Sequence, residues 1–349
     1  MISGFFLKYM INKIATNETP SLNKKRCINK MQKRINCDIC IKCCPKNAIT
    51  KENEISIDKD ECDNCSICAN VCPTGTMVPL LNVVEKQYNS ISRLDDVSIG
   101  CSEEKDDADY NVECLMELPW DFLAYIALEN KLTLSLRNCK SCKHENLREE
   151  VYRNLERLKI FLGEERFNKQ ITLIDDDREI PIKEISRRDL LKMFGEESKR
   201  MMTAVIPVDF EKNKNGRIYR SILLKKISDI EIKENRKENY TWYGLDVNDK
   251  CWGCGMCQRL CPNAAIKISE NSEGVRMFEH NYTRCTHCNI CRTICVDKAI
   301  TTVLKERNDI NERDKWEVLS LSCSVCNDPI QEDDDGMCII CKRDSKSRY

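Results

Sequence analysis

Thiols set the strongest limit on this chain. Cysteine occurs 25 times in 349 residues. Residues 251–262 read CWGCGMCQRLCP, which places Cys251, Cys254, Cys257 and Cys261 at C-x2-C-x2-C-x3-C with a proline behind the last. The rhythm returns directly downstream as CTHCNICRTICVDKAI, and near the N-terminus as CDICIKCCPKNAI followed by CDNCSICANVCPTGTM. Each unit reads as one half of a paired module, so the chain contains an internal repeat. So many thiols leave two explanations, a disulfide framework or metal sites. Aromatic residues are only 6% and charged residues 32%. A single large apolar core is therefore not expected, and small modules held by something other than burial fit better.

A disulfide framework needs export. The opening MISGFFLKYMINKIATNETP has a short apolar run broken by Lys8 and Lys13, with no small-residue cleavage site behind it. Ile2, Phe5, Phe6, Tyr9, Met10 and Ile14 recur instead at helical spacing, an amphipathic helix expected to pack on the protein rather than on a membrane. No stretch reaches transmembrane length. Arg187 and Arg188 form a twin-arginine pair in mid-chain, where such a signal cannot work; Ser186 and Asp189 around them read as a capping box. The expected location is reducing cytoplasm, where clustered cysteines bind metal. Lys+Arg 56 against Asp+Glu 57 gives a net charge of -1. That balance provides no general attraction to nucleic acid, which is not expected as a partner despite the basic segment Lys24–Lys33.

The full C-x2-C-x2-C-x3-C-P spacing has a physical meaning. Three close thiolates wrap one iron–sulfur cube, while the fourth, one helical turn further on, points away to a neighbouring cube. Soft thiolates suit such clusters, and the run differs from ordinary zinc pairs. Proline ends the wrapping loop, and Gly253 and Gly255 let backbone amides approach the sulfides. With these motifs the chain resembles the bacterial-type ferredoxins that carry two [4Fe-4S] clusters, in the manner of a polyferredoxin with two dicluster modules. The resemblance implies that Cys251, Cys254, Cys257 and Cys295 hold one cluster and Cys261, Cys285, Cys288 and Cys291 its partner. Val296 stands where the family has proline, a departure that removes no ligand.

For the N-terminal module the same resemblance implies one cluster on Cys44, Cys62, Cys65 and Cys68. The other takes Cys37, Cys40 and Cys72, but its first ligand would fall at Arg34. Cys27 is assigned to that place through a longer loop, as in some multi-cluster accessory ferredoxins of anaerobic respiration that the segment resembles. Cys43 is the rival, disfavoured because thiols adjacent in sequence do not easily serve one cube. A three-iron cluster is the alternative if neither serves.

Two further cysteine sets remain. VSIGC reads as a strand ending at Cys101, WDFLAYIALENK as a helix after Cys114, and LTLSLRNC as a strand before Cys139 and Cys142. A helix over LREEVYRNLERLKIFLG and a strand over QITLID complete an α/β pattern. Cysteines at the carboxyl ends of parallel strands can converge on one crevice. Cys101, Cys114, Cys139 and Cys142 could hold a [2Fe-2S] cluster or zinc, form a reversible Cys139–Cys142 disulfide, or simply pack in a core. The last set, Cys323, Cys326, Cys338 and Cys341, is a pair of C-x2-C knuckles typical of a structural zinc ribbon, with a rubredoxin-like iron site the alternative. The acidic run Glu332–Asp335 reads as a solvated loop.

The expected fold class is α+β multidomain: two ferredoxin-like 2[4Fe-4S] modules, a central small α/β domain and a C-terminal zinc-ribbon-like knuckle. The layout is a helical segment at 1–25, a dicluster module at 26–80, the α/β domain at 95–177, a helical bridge at 183–240, a second dicluster module at 245–305 and the ribbon at 318–345. Only three histidines are present, His144, His280 and His287. None completes a hydrolase or nucleophile signature, and no glycine-rich phosphate loop is visible. With conducting centres and no substrate site, the expected function is relay of single electrons between redox partner proteins, a donor and an acceptor, and no catalytic residue is assigned. The alternatives are an oxidoreductase subunit using thiol–disulfide chemistry in the central domain, a maturation factor for an anaerobic metalloenzyme, and a redox-responsive regulator.

Overall fold

The computed structural model describes residues 19–32, 35–91, 96–102, 108–175, 217–235, 237–272, 275–318, 321–327, 329–330 and 336–346. The amphipathic segment of Ile2 to Ile14, the Ser186–Asp189 capping box and the acidic run Glu332–Asp335 lie outside these residues. The chain divides into two compact units, residues 1–236 and 237–349.

In the second unit, strand Tyr240–Val247 pairs antiparallel with Ile300–Arg307 over eight residues, Val247 opposite Ile300 and Tyr240 opposite Arg307. Between them the chain makes a short helix, Met256–Arg259, a hairpin, Ile266–Glu270 with Arg276–His280, and a second short helix, Ile290–Ile294. Strand Asp314–Val318 adds to the hairpin edge, with Trp316 opposite Phe278. Apolar residues alternate inward along these strands, as a half-buried sheet demands. They converge on a core of Leu245, Val247, Ile266, Phe278, Ile300 and Val318, against which Cys251, Cys291 and Cys295 pack. Phe278 is fully buried and meets Trp316 edge-on at 5.6 Å. The ribbon follows with a two-residue strand pair, Leu321–Ser322 on Pro329–Ile330, and the helix Ile339–Lys346.

The first unit repeats the order in miniature. Ser21–Leu22 pairs with Met77–Val78, and a hairpin of Ile49–Lys51 with Ile55–Ile57 lies between the short helices Ile39–Lys42 and Ile67–Val71. The core here is Ile49, Ile55, Ala69 and Met77 with Cys40 and Cys68, and Cys27, Cys44 and Cys72 pack against it. In both modules the core is small: Cys257 in one and Cys40 and Cys68 in the other lie within it, and the remaining core-contacting cysteines flank it half-buried.

Helix Leu81–Ile91 leads into the central domain, a four-stranded parallel sheet. Its spatial order is Tyr110–Val112, Asp96–Cys101, Lys131–Ser135, Ile171–Ile174. The strand that comes first in sequence thus has its successors on opposite sides, which makes a topological switch point at the carboxyl ends. Helix Trp120–Ala127 is sandwiched between Glu145–Leu162 and Ile218–Glu234 and buries Phe122, Leu123, Ala124, Ile126 and Ala127. Its start is tied down by buried Asn154, whose Oδ1 accepts the Trp120 N–H at 2.7 Å while its Nδ2 donates to the Leu118 carbonyl at 3.0 Å. Asn70 Nδ2 donates to the carbonyls of Met116 (3.0 Å) and Glu117 (2.8 Å), which joins the first module to this domain.

Candidate metal centres

In the second module the cysteines group by neighbourhood, not by sequence order. Burial, then the negative charge of Cys254, Cys295 and Asp297, pushes the Cys251 thiol up. Burial first, then Cys254 and Cys251, pushes Cys257 up to about 12. Cys291 is raised by burial and then by Cys285, Cys288, Cys257 and Cys261. Cys261, Cys285, Cys288 and Cys291 line one small cavity of about 20 Å³. Each triplet therefore meets the lone cysteine of the other half: Cys295 lies with Cys251 and Cys254, and Cys261 with Cys285, Cys288 and Cys291.

The same exchange appears in the first module. Cys40 is pushed up to about 12 by burial, then by Cys72, Cys37 and Cys27, and Cys37 is raised by burial with Cys72 and Cys27 among its neighbours. Cys68 is raised by burial and then by Cys62, Cys40, Cys44 and Cys72, while Cys62 senses Cys44. Cys27 thus sits with Cys37, Cys40 and Cys72. Asn29 holds it there: the Asn29 Nδ2 donates to the Cys37 carbonyl at 2.7 Å and the Cys37 N–H donates to Asn29 Oδ1 at 2.8 Å. Cys43 faces elsewhere. It is buried against helix Glu145–Leu162, its Sγ 4.0 Å from the Asn146 carbonyl, and burial followed by Glu150 pushes it up to about 12.

Backbone geometry repeats four times around these sulfurs. The last cysteine of each unit accepts an N–H from the residue four positions on: Ala48 to Cys44 (3.3 Å), Thr76 to Cys72 (3.2 Å), Ala265 to Cys261 (3.2 Å) and Ala299 to Cys295 (3.3 Å). The residue three positions on has positive φ each time: Asn47, Gly75, Ala264 and Lys298. That left-handed turn aims the amide back at sulfur, at a cost of roughly 1–2 kcal/mol for a residue with a Cβ. Within the C-x2-C-x2-C loops Asn64 and Ser66, Gly253 and Gly255, and His287 and Asn289 also take positive φ at matching positions. The Cys37–Cys40 stretch does not: Asp38, the counterpart of Ser66, has φ −132° before a helix that begins at Ile39. These turn residues escape sequence reading because their types differ; only aligning the four repeats exposes them.

Residues 250–299 match the 4Fe-4S dicluster domain family, and residues 55–78 match the 4Fe-4S binding domain family. The chain carries two ferredoxin-type 4Fe-4S modules. It is similar to the protein named pyruvate synthase subunit PorD of Methanocaldococcus jannaschii, 38% identical over 60 residues, which is 17% of this chain and 65% of that protein. The likeness therefore spans less than two thirds of the relative.

The donor chemistry of the ferredoxin modules suits iron–sulfur clusters. Buried thiols raised by low dielectric and by one another keep their protons until a metal displaces them, and the N–H donors then face thiolate sulfur. Burial also pushes Cys72 up, but hydrogen bonds from the Thr74 hydroxyl and the N–H groups of Thr74, Met77 and Thr76 outweigh it and leave the thiol lowered. Cys65 is raised well above its ordinary value by burial and then by Asp63.

The central set converges as well. Cys101, Cys114, Cys139 and Cys142 all line one cavity of about 410 Å³ at the carboxyl ends of the parallel strands. Cys114 is pushed up to about 12 by burial, with Cys101 and Cys139 adding to it. Glu117, three residues on, accepts N–H bonds at Oε1 from Glu113 (2.9 Å) and Cys114 (3.4 Å), and burial pushes its carboxyl up to about 8.

The ribbon set is tighter. The sulfurs of Cys323, Cys326, Cys338 and Cys341 all lie within 4.8 Å of one another. A tetrahedral zinc with Zn–S of about 2.3 Å puts its sulfurs about 3.8 Å apart, so little adjustment separates this set from a zinc site. The Cys323 thiol is lowered to about 6 by N–H groups of Cys338, Cys326 and Val325, the first at 3.2 Å.

Each histidine has a defined place. His144 precedes helix Glu145–Leu162, and its N–H donates to Cys142 Sγ at 3.4 Å. His287, in the CTHC loop, stacks on Tyr243 with ring centroids 4.1 Å apart. His280 is fully buried, its Nδ1 3.8 Å from an Asp314 oxygen. Burial lowers its pKa against the pull of Asp314. Val296 is 90% exposed, so the missing proline leaves an apolar side chain in solvent at the end of this loop.

Proposed function

We propose that the chain is an iron–sulfur electron carrier holding four [4Fe-4S] clusters and one zinc ion. The ligand sets are Cys27, Cys37, Cys40 and Cys72; Cys44, Cys62, Cys65 and Cys68; Cys251, Cys254, Cys257 and Cys295; and Cys261, Cys285, Cys288 and Cys291. Zinc is assigned to Cys323, Cys326, Cys338 and Cys341. What supports this reading is which cysteines lie together: Cys27 and Cys72 beside Cys37 and Cys40, Cys295 beside Cys251, and Cys261 with Cys285, Cys288 and Cys291 around one cavity. An exchange of the fourth cysteine between halves forces two clusters to lie side by side, which is what conduction needs.

Bound [4Fe-4S] clusters take up and release one electron each with little change of shape. The residues around them would set how readily this happens. The N–H groups of Ala48, Thr76, Ala265 and Ala299 point at ligand sulfurs and stabilise added negative charge. The apolar cores pack against Cys44, Cys72 and Cys295 and shield part of each from water. Among the described residues none near the modules forms a substrate-converting constellation, and the reading calls for partner proteins, one giving and one taking electrons. The likeness to a pyruvate synthase subunit makes a pyruvate synthase the redox partner to try first. On this reading the protein works in reducing cytoplasm, where free thiols persist.

The test is an anaerobic reductive titration of the full chain. The ferredoxin modules should accept about four one-electron equivalents reversibly and return them to an oxidised acceptor. A chain that takes up electrons only in thiol–disulfide pairs contradicts the proposal.

A further inference from the structure

The central crevice has no role in the carrier just described, yet it gathers four thiols from three loops. Cys101 ends strand Asp96–Cys101, Cys114 follows strand Tyr110–Val112, and Cys139 and Cys142 follow strand Lys131–Ser135. These are the positions outside the switch point where parallel sheets place ligands. Three features narrow what would sit there. The cavity, about 410 Å³, is far larger than one ion requires. Among the described residues, only the ribbon brings three or more ligand atoms within 4.8 Å of one another; the central quartet, like the ferredoxin sets, does not. The cavity wall also includes Cys65, Pro45 and Lys46, so it adjoins the site of Cys44, Cys62, Cys65 and Cys68. Lys46, Lys143 and Arg148 on the same wall offset the negative charge that four thiolates would bring.

We propose that Cys101, Cys114, Cys139 and Cys142 hold a fifth, polynuclear iron–sulfur cluster in the α/β domain, alongside the cluster site of the first ferredoxin module. The inference rests on the carrier reading only for its neighbour, not for its own ligands. The spacing excludes a ready-made mononuclear site, the soft donor set suits iron with sulfide, and the parallel-sheet crevice supplies the volume. The first unit would then contain three adjacent redox sites, and the α/β domain would be an electron terminus rather than a spacer.

The experiment compares iron, acid-labile sulfide and zinc in full-length protein purified without oxygen against a Cys139→Ser/Cys142→Ser chain. A Cys114→Ser chain, altered in a different loop, serves as a second variant. Cys43→Ser, a buried thiol outside every set, controls for general damage. Loss of two irons and two sulfides from both variants supports the proposal with a [2Fe-2S] cluster, and loss of four of each supports it with a [4Fe-4S] cluster. Unchanged iron overturns it, as does a second zinc in the wild type that disappears in the variants. Unchanged iron with a Cys139–Cys142 disulfide in the native protein also overturns it. Because the readout is a difference, the two readings fail separately. A variant left with fewer than sixteen irons, the difference intact, sinks the four-cluster assignment alone; sixteen irons in wild type and variants alike sinks this one alone.

Discussion

Exchange of the fourth ligand can be tested by asking which pairs of substitutions act on the same object. Cys261 follows Cys257 in sequence, but its sulfur is among those that raise Cys291. Cys261→Ala should therefore remove the cluster of Cys285, Cys288 and Cys291, about four of the roughly sixteen irons in the ferredoxin modules. Adding Cys291→Ala strikes the same cluster, so the double variant should lose about four irons again. Adding Cys257→Ala strikes the other cluster, and that double variant should lose about eight. The logic is that of a double-mutant cycle: groups acting as one unit are non-additive and independent units add. Iron and sulfide per chain, with the amplitude of the reduced EPR signal as a second measure, provide the assay. If each four-cysteine run instead wrapped its own cluster, the two double variants would swap values. Losses of about eight for Cys261→Ala/Cys291→Ala and about four for Cys261→Ala/Cys257→Ala would refute the exchange.

Other perturbations follow from single residues. Asn154→Ala strands the Trp120 N–H and the Leu118 carbonyl in a buried place, and should cost the central domain about 2–4 kcal/mol in chemical denaturation followed by Trp120 fluorescence. Glu117 is pushed from 4.5 to about 8, so its contribution to stability is complete below the unfolded value and declines as pH rises through 8. Glu117→Gln keeps the acceptor for both N–H groups and should flatten the loss between pH 4.5 and 8 in a pH series of melting temperatures. Gly253 has φ +69°, and a Cβ there would meet Val318 Cγ2 at 3.2 Å. Gly253→Ala should therefore cost roughly 1–2 kcal/mol in the melting of the second module. Gly255→Asn should be nearly neutral in the same assay, because Asn289 already holds the matching position at φ 60°.

Much of the site is legible in the sequence because cluster binding depends on short spacings, which a chain cannot disguise. Cys251, Cys254 and Cys257 need only their own loop to be recognised. Cys27 is harder: it is ten residues from Cys37, and what brings it in is the two-way hydrogen bond of Asn29, a contact with no sequence signature. Cys43 looks like a ligand by position and is taken away by packing on a helix more than 100 residues downstream. The strands Asp96–Cys101, Lys131–Ser135 and Ile171–Ile174 are readable from apolar runs bounded by turns. Tyr110–Val112 is not, being three residues long at a sheet edge with one buried side chain. Likewise, strand Asp314–Val318 extends the second module beyond residue 305 because its partner is an open hairpin edge, a tertiary fact. The convergence of the central cysteines required the parallel order of the sheet, which the periodicity of single strands does not encode.

The central claim is that the repeated cysteines grip iron–sulfur clusters in exchanged sets. Anomalous diffraction at the iron and zinc edges, from crystals grown and frozen without oxygen, addresses it directly. Strong iron-edge density should lie within each of the four ferredoxin sets, with Cys72 and Cys295 joined to the triplets distant from them in sequence, and the extra anomalous density that appears on crossing the zinc edge should be confined to Cys323, Cys326, Cys338 and Cys341. A gain in anomalous density across the zinc edge in the ferredoxin sets, or iron density shared by Cys251, Cys254, Cys257 and Cys261 together, would contradict it.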